Sequence, residues 1–303
     1  MSAEAVTAPR GLAGVYFKLS ATALLWAATM VAARYASGSV TPVAGAWVRY
    51  LAAVALLVPL TVHREGGFPP LDRRQLGWTI GLGITGVVLF NVFFFLALRS
   101  IPASRGTVIM ALNPAMMVIA LALLFGQRPG VFGFAGVVLV LAGVWTVLSE
   151  GDVASIFSNI TAGDLAMIGA CASWTAYGLI ARFAIRGLTP LAATAYASLW
   201  GFLILTALAL PDLLSADWRA MSPGAIAAMV YMGLFGTALA FIWYTEGLIR
   251  IGPARATVFM NLTPVFSVVL AAVLLGERIG ASMIAGGLMT VAGVALTNRT
   301  GKR

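Results

Sequence analysis

Charged residues are scarce in this chain, and their scarcity excludes ordinary soluble folds. Aspartate, glutamate, lysine and arginine make up 10% of the 303 residues, whereas soluble proteins average about 25%. Hydrophobic residues make up 61%, and the mean hydropathy is +0.98. Apolar stretches of roughly 20 residues, each long enough to cross the hydrocarbon core of a membrane, recur along the whole length. The sequence therefore predicts an all-α integral membrane protein that is surrounded by a lipid bilayer.

Cysteine and histidine occur once each, which excludes several kinds of chemistry. The lone Cys171 cannot form a disulfide within the chain, and one cysteine is too few for a metal site. Gly81 to Gly86 match the glycine pattern of dinucleotide-binding folds, but no strand precedes them, so helix packing is the better interpretation. We find no phosphate-binding loop, nucleophile elbow or His/Glu metal motif. We therefore expect no catalytic residues, no metal, no cofactor and no enzyme.

The second half of the chain repeats the first half. Residues 98–151 align with 248–301 at a constant shift of 150 without a gap, and about 20 of these 54 pairs are identical. A shift of 148 aligns Trp26 with Trp174 and Arg34 with Arg182. Repeated apolar halves are typical of membrane transporters, whose substrate site lies between the halves. We predict two repeats, residues 1–151 and 152–303.

Each repeat is predicted to contain five membrane spans. An odd number makes the second repeat enter the membrane from the opposite face, so the repeats are inverted. With the N-terminus inside, about 13 basic residues face the cytoplasm and about 5 face the other side, which places both termini in the cytoplasm. The net charge of +9 is thus explained by the excess of basic residues in the cytoplasmic segments, and no nucleic-acid partner is expected. The predicted spans are 15–36, 43–62, 76–98, 102–125, 130–149, 163–184, 190–211, 224–248, 253–275 and 279–298.

Few charged residues lie within the spans, and such residues are usually functional. Spans one and six contain no acidic residue in their middle, which disfavours a proton-driven exporter of hydrophobic cations. Arg49 lies in span two. Glu246 lies near the end of span eight, where it either forms a local ion pair with Arg250 or Arg255 or serves as a coupling or substrate-amine site. Arg105 and Arg255, near the starts of spans four and nine, are expected to anchor helix ends or link helices.

Polar and aromatic residues predict a binding site at the centre of the bundle. Asn113-Pro114 and Thr263-Pro264 occupy matching places in spans four and nine. Because proline removes a backbone donor, it frees carbonyl groups that a substrate can satisfy, although a kink for packing is the alternative. We assign helix breaking and gating to Pro114 and Pro264. The candidate substrate-binding residues are Trp26, Asn91, Phe95, Asn113, Trp174, Tyr177, Trp243, Tyr244 and Asn261.

Glycines recur at matching positions of spans five and ten. Gly136 and Gly143 are seven residues apart, as are Gly286 and Gly293. Two helical turns place each pair on one face, which predicts close packing of these spans with neighbours or with each other. One chain contains both repeats, so a monomer is sufficient. An oligomer that pairs through the glycine faces is the alternative.

The repeated segments resemble the drug/metabolite transporter superfamily, in its EamA branch. The resemblance rests on Asn261 to Val265, Leu274 to Arg278, Gly286 and Gly293, which the first half echoes with Asn113-Pro114 and Gly126 to Arg128. Gln127 departs from the pattern, since a glutamate is commoner there. The resemblance implies ten helices in two inverted five-helix repeats around a central cavity.

Among members of that superfamily, the chain is most similar to the YddG-like amino-acid exporters. This similarity implies an inner-membrane exporter of small metabolites, above all aromatic and neutral amino acids, that works by alternating access. A multidrug or cationic-compound exporter is an alternative, and a membrane-embedded enzyme or scaffold that transports nothing is another. Proton coupling and facilitated diffusion both stay open.

Overall fold

The computed structural model describes residues 12–127, 129–150, 152, 159–184, 187–215 and 221–299, and helices are the only regular elements among them. Nine of the described helices are long and apolar enough to span a membrane, and a shorter apolar helix follows them. Every predicted span is confirmed as a helix. Arg10, Arg128, Arg186, Arg219, Lys302 and Arg303, which contribute to the predicted charge bias, lie outside the described residues.

The ten helices are numbered in chain order, and they alternate in direction. Helix α1 begins and α10 ends at one face of the bundle, which we call the terminal face; the other is the opposite face. The bounds are α1 Leu12–Ser37, α2 Pro42–Glu65, α3 Arg73–Leu98, α4 Ala103–Phe125, α5 Val131–Leu148, α6 Ala162–Ala184, α7 Pro190–Ser215, α8 Pro223–Ile251, α9 Pro253–Met260 with Leu262–Leu275, and α10 Ala281–Arg299.

The starts of α2 and α7 show the inverted relation of the two repeats. Thr41 precedes α2 and accepts a hydrogen bond from the Ala44 N–H, which satisfies a free donor of the first turn. The Thr41 hydroxyl donates to Asp212 at the end of α7. Thr189, which precedes α7, donates to Glu65 at the end of α2. The same contact therefore occurs once at each face, as a two-fold axis in the membrane plane requires.

Glycines bring α5 and α10 into backbone contact along their length. A Cβ atom on Gly143 would lie 2.6 Å from the Gly286 carbonyl oxygen, and one on Gly136 would lie 2.7 Å from that of Gly293. No larger residue fits such an approach, and small residues are the usual way in which helices associate closely in lipid. The glycine faces of spans five and ten thus pack against each other within one chain.

Helices α3 and α8 each contain a π-helical segment at the same place in the repeat. The segments are Gly83–Leu89 and Met232–Leu239. Both begin where a glycine touches the backbone of a neighbouring helix: a Cβ on Gly83 would meet the Gly201 nitrogen, and one on Gly233 the Arg49 carbonyl oxygen. Such segments are rare and frequently occur at functional sites. Phe90 and Phe94 of α3 and Phe241 of α8, which follow these segments, line a cavity at the centre of the bundle.

A large cluster of buried apolar side chains reaches the opposite face. Phe94, Phe95 and Leu98 of α3 and Ile109 of α4 belong to one buried cluster with Met167 of α6. At the terminal face, the start of α1 contributes only Val15 and Leu19 to a small buried group with Ala256. Leu82, Ala184 and Ala197 form a further buried group on the terminal side.

Candidate functional site: a central cavity

A cavity of about 320 Å³ lies at the centre of the bundle, between the two repeats. Ligand pockets typically have volumes of about 300–1,000 Å³. Its wall includes residues of both repeats. Helices α1 to α4 contribute from the first repeat, and α6, α8, α9 and α10 contribute from the second. Six of the residues predicted for the site lie on this wall: Trp26, Asn113, Pro114, Trp174, Asn261 and Pro264.

The helix breaks of α4 and α9 face this cavity. Helical geometry is interrupted by a turn at Ala111 and again at Asn261. Three residues later, Pro114 and Pro264 lack the N–H that would bond to the preceding turn. The structure thus has an interruption at matching positions of the two repeats, and the gating role of Pro114 and Pro264 stays a prediction.

Two buried oxygen atoms on the cavity wall lack a partner. Asn113 Oδ1 and Thr263 Oγ1 have no hydrogen bond to any described residue. The two residues occupy the same position in the two repeats, one residue before the proline. An unsatisfied buried polar atom costs about 1–3 kcal/mol, so native proteins rarely leave one unused. Two other such atoms, in Thr175 and Trp200, belong to residues that are not on this wall.

The apolar part of the wall is aromatic. The Trp26 indole N–H donates to the Gly236 carbonyl at 3.0 Å, which fixes the ring against the π-helical segment of α8. Phe241 contacts both tryptophans, with ring centroids 5.6 Å from Trp26 and 6.2 Å from Trp174. Phe241 was not among the predicted site residues. The sequence signal that could have identified Phe241 is its alignment with the candidate Asn91 at the shift of 150.

The other predicted aromatic residues lie off this wall. Phe95 is fully buried because it packs on Gly45 between α2 and α3. Tyr177 stacks on the ring of Trp174 at 5.0 Å. Tyr244 packs beside Trp26 at 5.4 Å, and Trp243 lines a second cavity at the terminal face. Tyr177 and Tyr244 thus support the tryptophans, Trp243 lies at the second cavity, and Phe95 belongs to the packing of α2 on α3.

Arg49 is the only charged residue among the described residues on the wall. Its side chain is held by α3 and α8: Nη1 donates to Asn91 Oδ1 at 2.8 Å, and Nε donates to Thr237 Oγ1 at 3.1 Å. Asn91 was predicted to touch substrate, but it is fully buried and positions the arginine instead. Arg49 was recognised in the sequence as a charge within a span, without a role.

A vestibule of about 600 Å³ adjoins the central cavity at the terminal face, and Phe241 lies on the wall of both. Glu246 is on the vestibule wall, where it pairs with Lys18 at 2.6 Å and with Arg250 at 3.2 Å. The predicted ion pair with Arg250 is therefore present, and Lys18 strengthens it. Arg64 adds a further positive charge to the vestibule.

Polar contacts seal the opposite face. Glu277, just after α9, accepts hydrogen bonds from the backbone N–H groups of Ala103 (2.7 Å) and Ser104 (3.0 Å) at the start of α4. Arg105 pairs with Asp164 of α6 at 2.7 Å and with Glu150 at 3.0 Å. The interpretation of Arg105 as a link between helices is therefore confirmed.

The repeat-related residues at the terminal face make no such contacts. Gln127, the counterpart of Glu277, is exposed and has no described side-chain partner, and Arg255, the counterpart of Arg105, is also exposed. Arg182 lies over the ring of Phe125 at 5.0 Å, whereas its counterpart Arg34 donates to a carbonyl group of α3. Among the described residues, these contacts thus close the opposite face and are missing from the terminal face, where the vestibule lies.

Comparison with known proteins agrees with this architecture. The model of the EamA-like transporter family matches twice, over residues 14–149 and 161–299. The chain belongs to the EamA-like transporter family. A solved crystal structure matches 96% of the chain and 99% of its own chain with a TM-score of 0.63 at 21% identity, which supports the fold.

Relatives of this EamA-like transporter include proteins that are named as transporters. The Bacillus subtilis protein "Uncharacterized transporter YyaM" is 26% identical over 286 residues, covering 92% of this chain and 94% of that protein. The Streptantibioticus cattleyicolor "Probable terminal-alkyne amino-acid exporter" is 26% identical over 252 residues, covering 82% and 81%. The chain is thus a multi-pass membrane transporter, and its central cavity is the candidate substrate site.

Proposed function

We propose that this transporter exports aromatic and neutral amino acids from the cytoplasm across the inner membrane. The supporting observation is the pair of unpartnered oxygen atoms, Asn113 Oδ1 and Thr263 Oγ1, beside an aromatic wall. An ammonium group carries N–H donors for both atoms, and an apolar side chain packs against Trp26, Trp174 and Phe241. The name of the Streptantibioticus relative agrees with this substrate class.

Alternating access is the mechanism that the asymmetry of the two faces supports. The excess of basic residues assigns the terminal face to the cytoplasm. The seal at Glu277 and Arg105 then closes the cavity to the outside, while the vestibule admits substrate from the cytoplasm. We propose that residues 1–151 and 152–303 rock against each other, so that the repeat-related contacts form at the terminal face as those at the opposite face break.

Purified protein in liposomes tests this function. We expect counterflow of at least one aromatic or branched-chain amino acid in a screen of the 20 amino acids. Trp174→Ala removes one side of the aromatic wall, so the concentration for half-maximal exchange should rise about tenfold or more, because losing a buried aromatic contact weakens binding by a few kcal/mol. Thermal unfolding in detergent establishes whether the variant is folded.

The matched control is Trp145→Ala, which removes a half-exposed tryptophan on the outer surface of α5. Its exchange kinetics should match those of the wild type. Absence of exchange for all 20 amino acids would refute the proposed substrate class. Exchange of lipophilic cations in the same liposomes would then favour the cationic-compound exporter, although the positive charge of Arg49 on the cavity wall opposes that reading.

A further inference from the structure

We propose that Arg49 binds the carboxylate of the transported substrate, so that the cavity selects apolar monocarboxylates, with amino acids as one group of them. This inference rests on the proposed function in one respect, namely that the central cavity is the transport site. It adds the charge that a substrate must carry and the residue that recognises it.

The guanidinium of Arg49 is buried without a counter-ion. Only 6% of the residue is exposed, and no described residue of the cavity wall is acidic. Two of its nitrogens bond to the neutral side chains of Asn91 and Thr237, while Nη2 has no hydrogen-bond partner among the described residues. A charged group far from water is costly unless it is paired. A substrate anion supplies the missing partner.

The other repeat shows which residues the fold accepts at the positions that match Arg49 and its two partners. A Cβ on Gly83 would meet the Ala197 carbonyl oxygen, and a Cβ on Gly233 would meet the Arg49 carbonyl oxygen. Since Gly83 and Gly233 occupy matching positions of the two repeats, Ala197 is the structural counterpart of Arg49. The shift of 150 makes Phe241 the counterpart of Asn91, and Val87 that of Thr237. All three counterparts are apolar: Ala197, Phe241 and Val87.

The fold thus packs α2, α3, α7 and α8 without polar groups at these positions in the other repeat. Arg49 is therefore not needed for helix packing, while Asn91 and Thr237 also donate to the carbonyl groups of Val87 and Met232 in the π-helical segments. Arg49, Asn91 and Thr237 form a polar cluster at a pocket that also carries aromatic side chains, which is the arrangement expected of a ligand-orienting group.

The chemistry of the cluster favours a carboxylate over other anions. One guanidinium balances one negative charge, and its planar donors match the two oxygens of a carboxylate. The described cavity wall offers no second cation for a phosphate dianion. With the carboxylate at Arg49, the unpartnered oxygens of Asn113 and Thr263 are left for an amino group where the substrate has one.

Ligands that share one ring but differ in charge test the inference on the wild-type protein. The probes are L-phenylalanine, 3-phenylpropionate, phenethylamine and L-phenylalaninamide, and the readouts are thermal stabilisation of the purified protein and competition with L-phenylalanine counterflow. We expect both carboxylates to stabilise the protein at concentrations roughly 10- to 100-fold lower than the amine or the amide, as expected for hydrogen bonds to a charged group. Equal effects of all four probes, or stabilisation by none of them, would overturn the proposal.

Two variants distinguish substrate binding from a structural role. Arg49→Gln removes the charge, whereas Asn91→Asp keeps the arginine and places a resident carboxylate 2.8 Å from Nη1, the distance of the present hydrogen bond. Both should abolish the preference for 3-phenylpropionate over phenethylamine. Arg99→Gln, which removes an exposed arginine at the end of α3, should keep the preference.

The outcomes separate this inference from the proposed function. If the wild type exchanges no amino acid but is stabilised by 3-phenylpropionate alone, the substrate class proposed above fails and the carboxylate site stands. If amino acids are exchanged and Asn91→Asp retains the carboxylate preference of the wild type, the assignment of Arg49 is wrong while amino-acid export stands.

Discussion

At the scale of single residues, Glu246 decides between proton coupling and facilitated diffusion. Its carboxylate lies in the vestibule between Lys18 and Arg250, outside the central cavity. Partly exposed ion pairs of this kind contribute at most about 1 kcal/mol. We therefore predict that Glu246→Gln folds with nearly unchanged thermal stability and keeps its rate of amino-acid exchange.

The measurement is initial uptake into liposomes with and without an imposed pH gradient. A facilitator should show the same rate under both conditions, in the wild type and in Glu246→Gln. Acceleration by the gradient in the wild type, with its loss in Glu246→Gln, would identify Glu246 as the coupling group instead.

Local signals in the sequence located part of this site. Trp26, Trp174 and Asn113 were predicted from helix breaks and aromatic residues at matching repeat positions, and the structure places all three on the cavity wall. The role of Asn91 could not be predicted in the same way. Its bond to Arg49 joins residues 42 positions apart in sequence, and only the packing of α2 on α3 brings them together.

At the scale of secondary-structure elements, the contact of α5 with α10 depends on individual glycines. Gly286 and Gly287 are neighbours in sequence but differ in surroundings. A Cβ on Gly286 would lie 2.4 Å from the Gly143 carbonyl oxygen, whereas one on Gly287 would come no closer than 4.0 Å to another group. We predict that Gly286→Ala lowers the melting temperature and the yield of folded protein, because the two helices must separate.

Gly287→Ala is the matched control, since alanine is a better helix former than glycine by about 1 kcal/mol. It should leave the melting temperature unchanged or raise it. Equal stability of the two variants would show that α5 and α10 are not in backbone contact along this line.

The helices themselves could be predicted from apolar length and punctuation, whereas their irregularities could not. The third span was expected at 76–98, and α3 extends over Arg73–Leu98. Its π-helical segment, which begins at Gly83, has no local signature in an apolar run. It coincides with a backbone contact to Gly201 of α7, which depends on how the helices pack.

At the scale of the whole molecule, the two faces differ because the repeats have diverged at their ends. At the opposite face, Glu277 receives two backbone N–H groups and the Ser104 hydroxyl. At the terminal face the corresponding side chain is the neutral Gln127, and the corresponding first residue of α9 is Pro253, which has no N–H. A carboxylate at a helix start is stabilised by the free N–H groups and the helix dipole. This divergence favours closure of the opposite face.

We predict that substitutions at either face can shift the balance between the state that is closed at the opposite face and the state that is closed at the terminal face. Glu277→Ala removes the acceptor of the seal, and Gln127→Glu supplies a carboxylate for the start of α9 when the terminal face closes. Both should increase opening towards the outside. The loss of charge-assisted hydrogen bonds, worth about 1.5–3 kcal/mol each, implies a change of roughly tenfold or more in the open population.

The reporter is Thr107→Cys, on α4 at the cavity wall, labelled in intact cells by a maleimide that cannot cross the membrane. The native Cys171 is buried and serves as an internal background. Labelling should be slow in the parent protein, faster in each variant and fastest in the double variant. Arg278→Gln, at the exposed neighbour of Glu277, should label like the parent. If Glu277→Ala also labelled at the parental rate, the cap on α4 would not hold the opposite face closed, and the asymmetry between the repeats would have to arise from the ion pairs of Arg105.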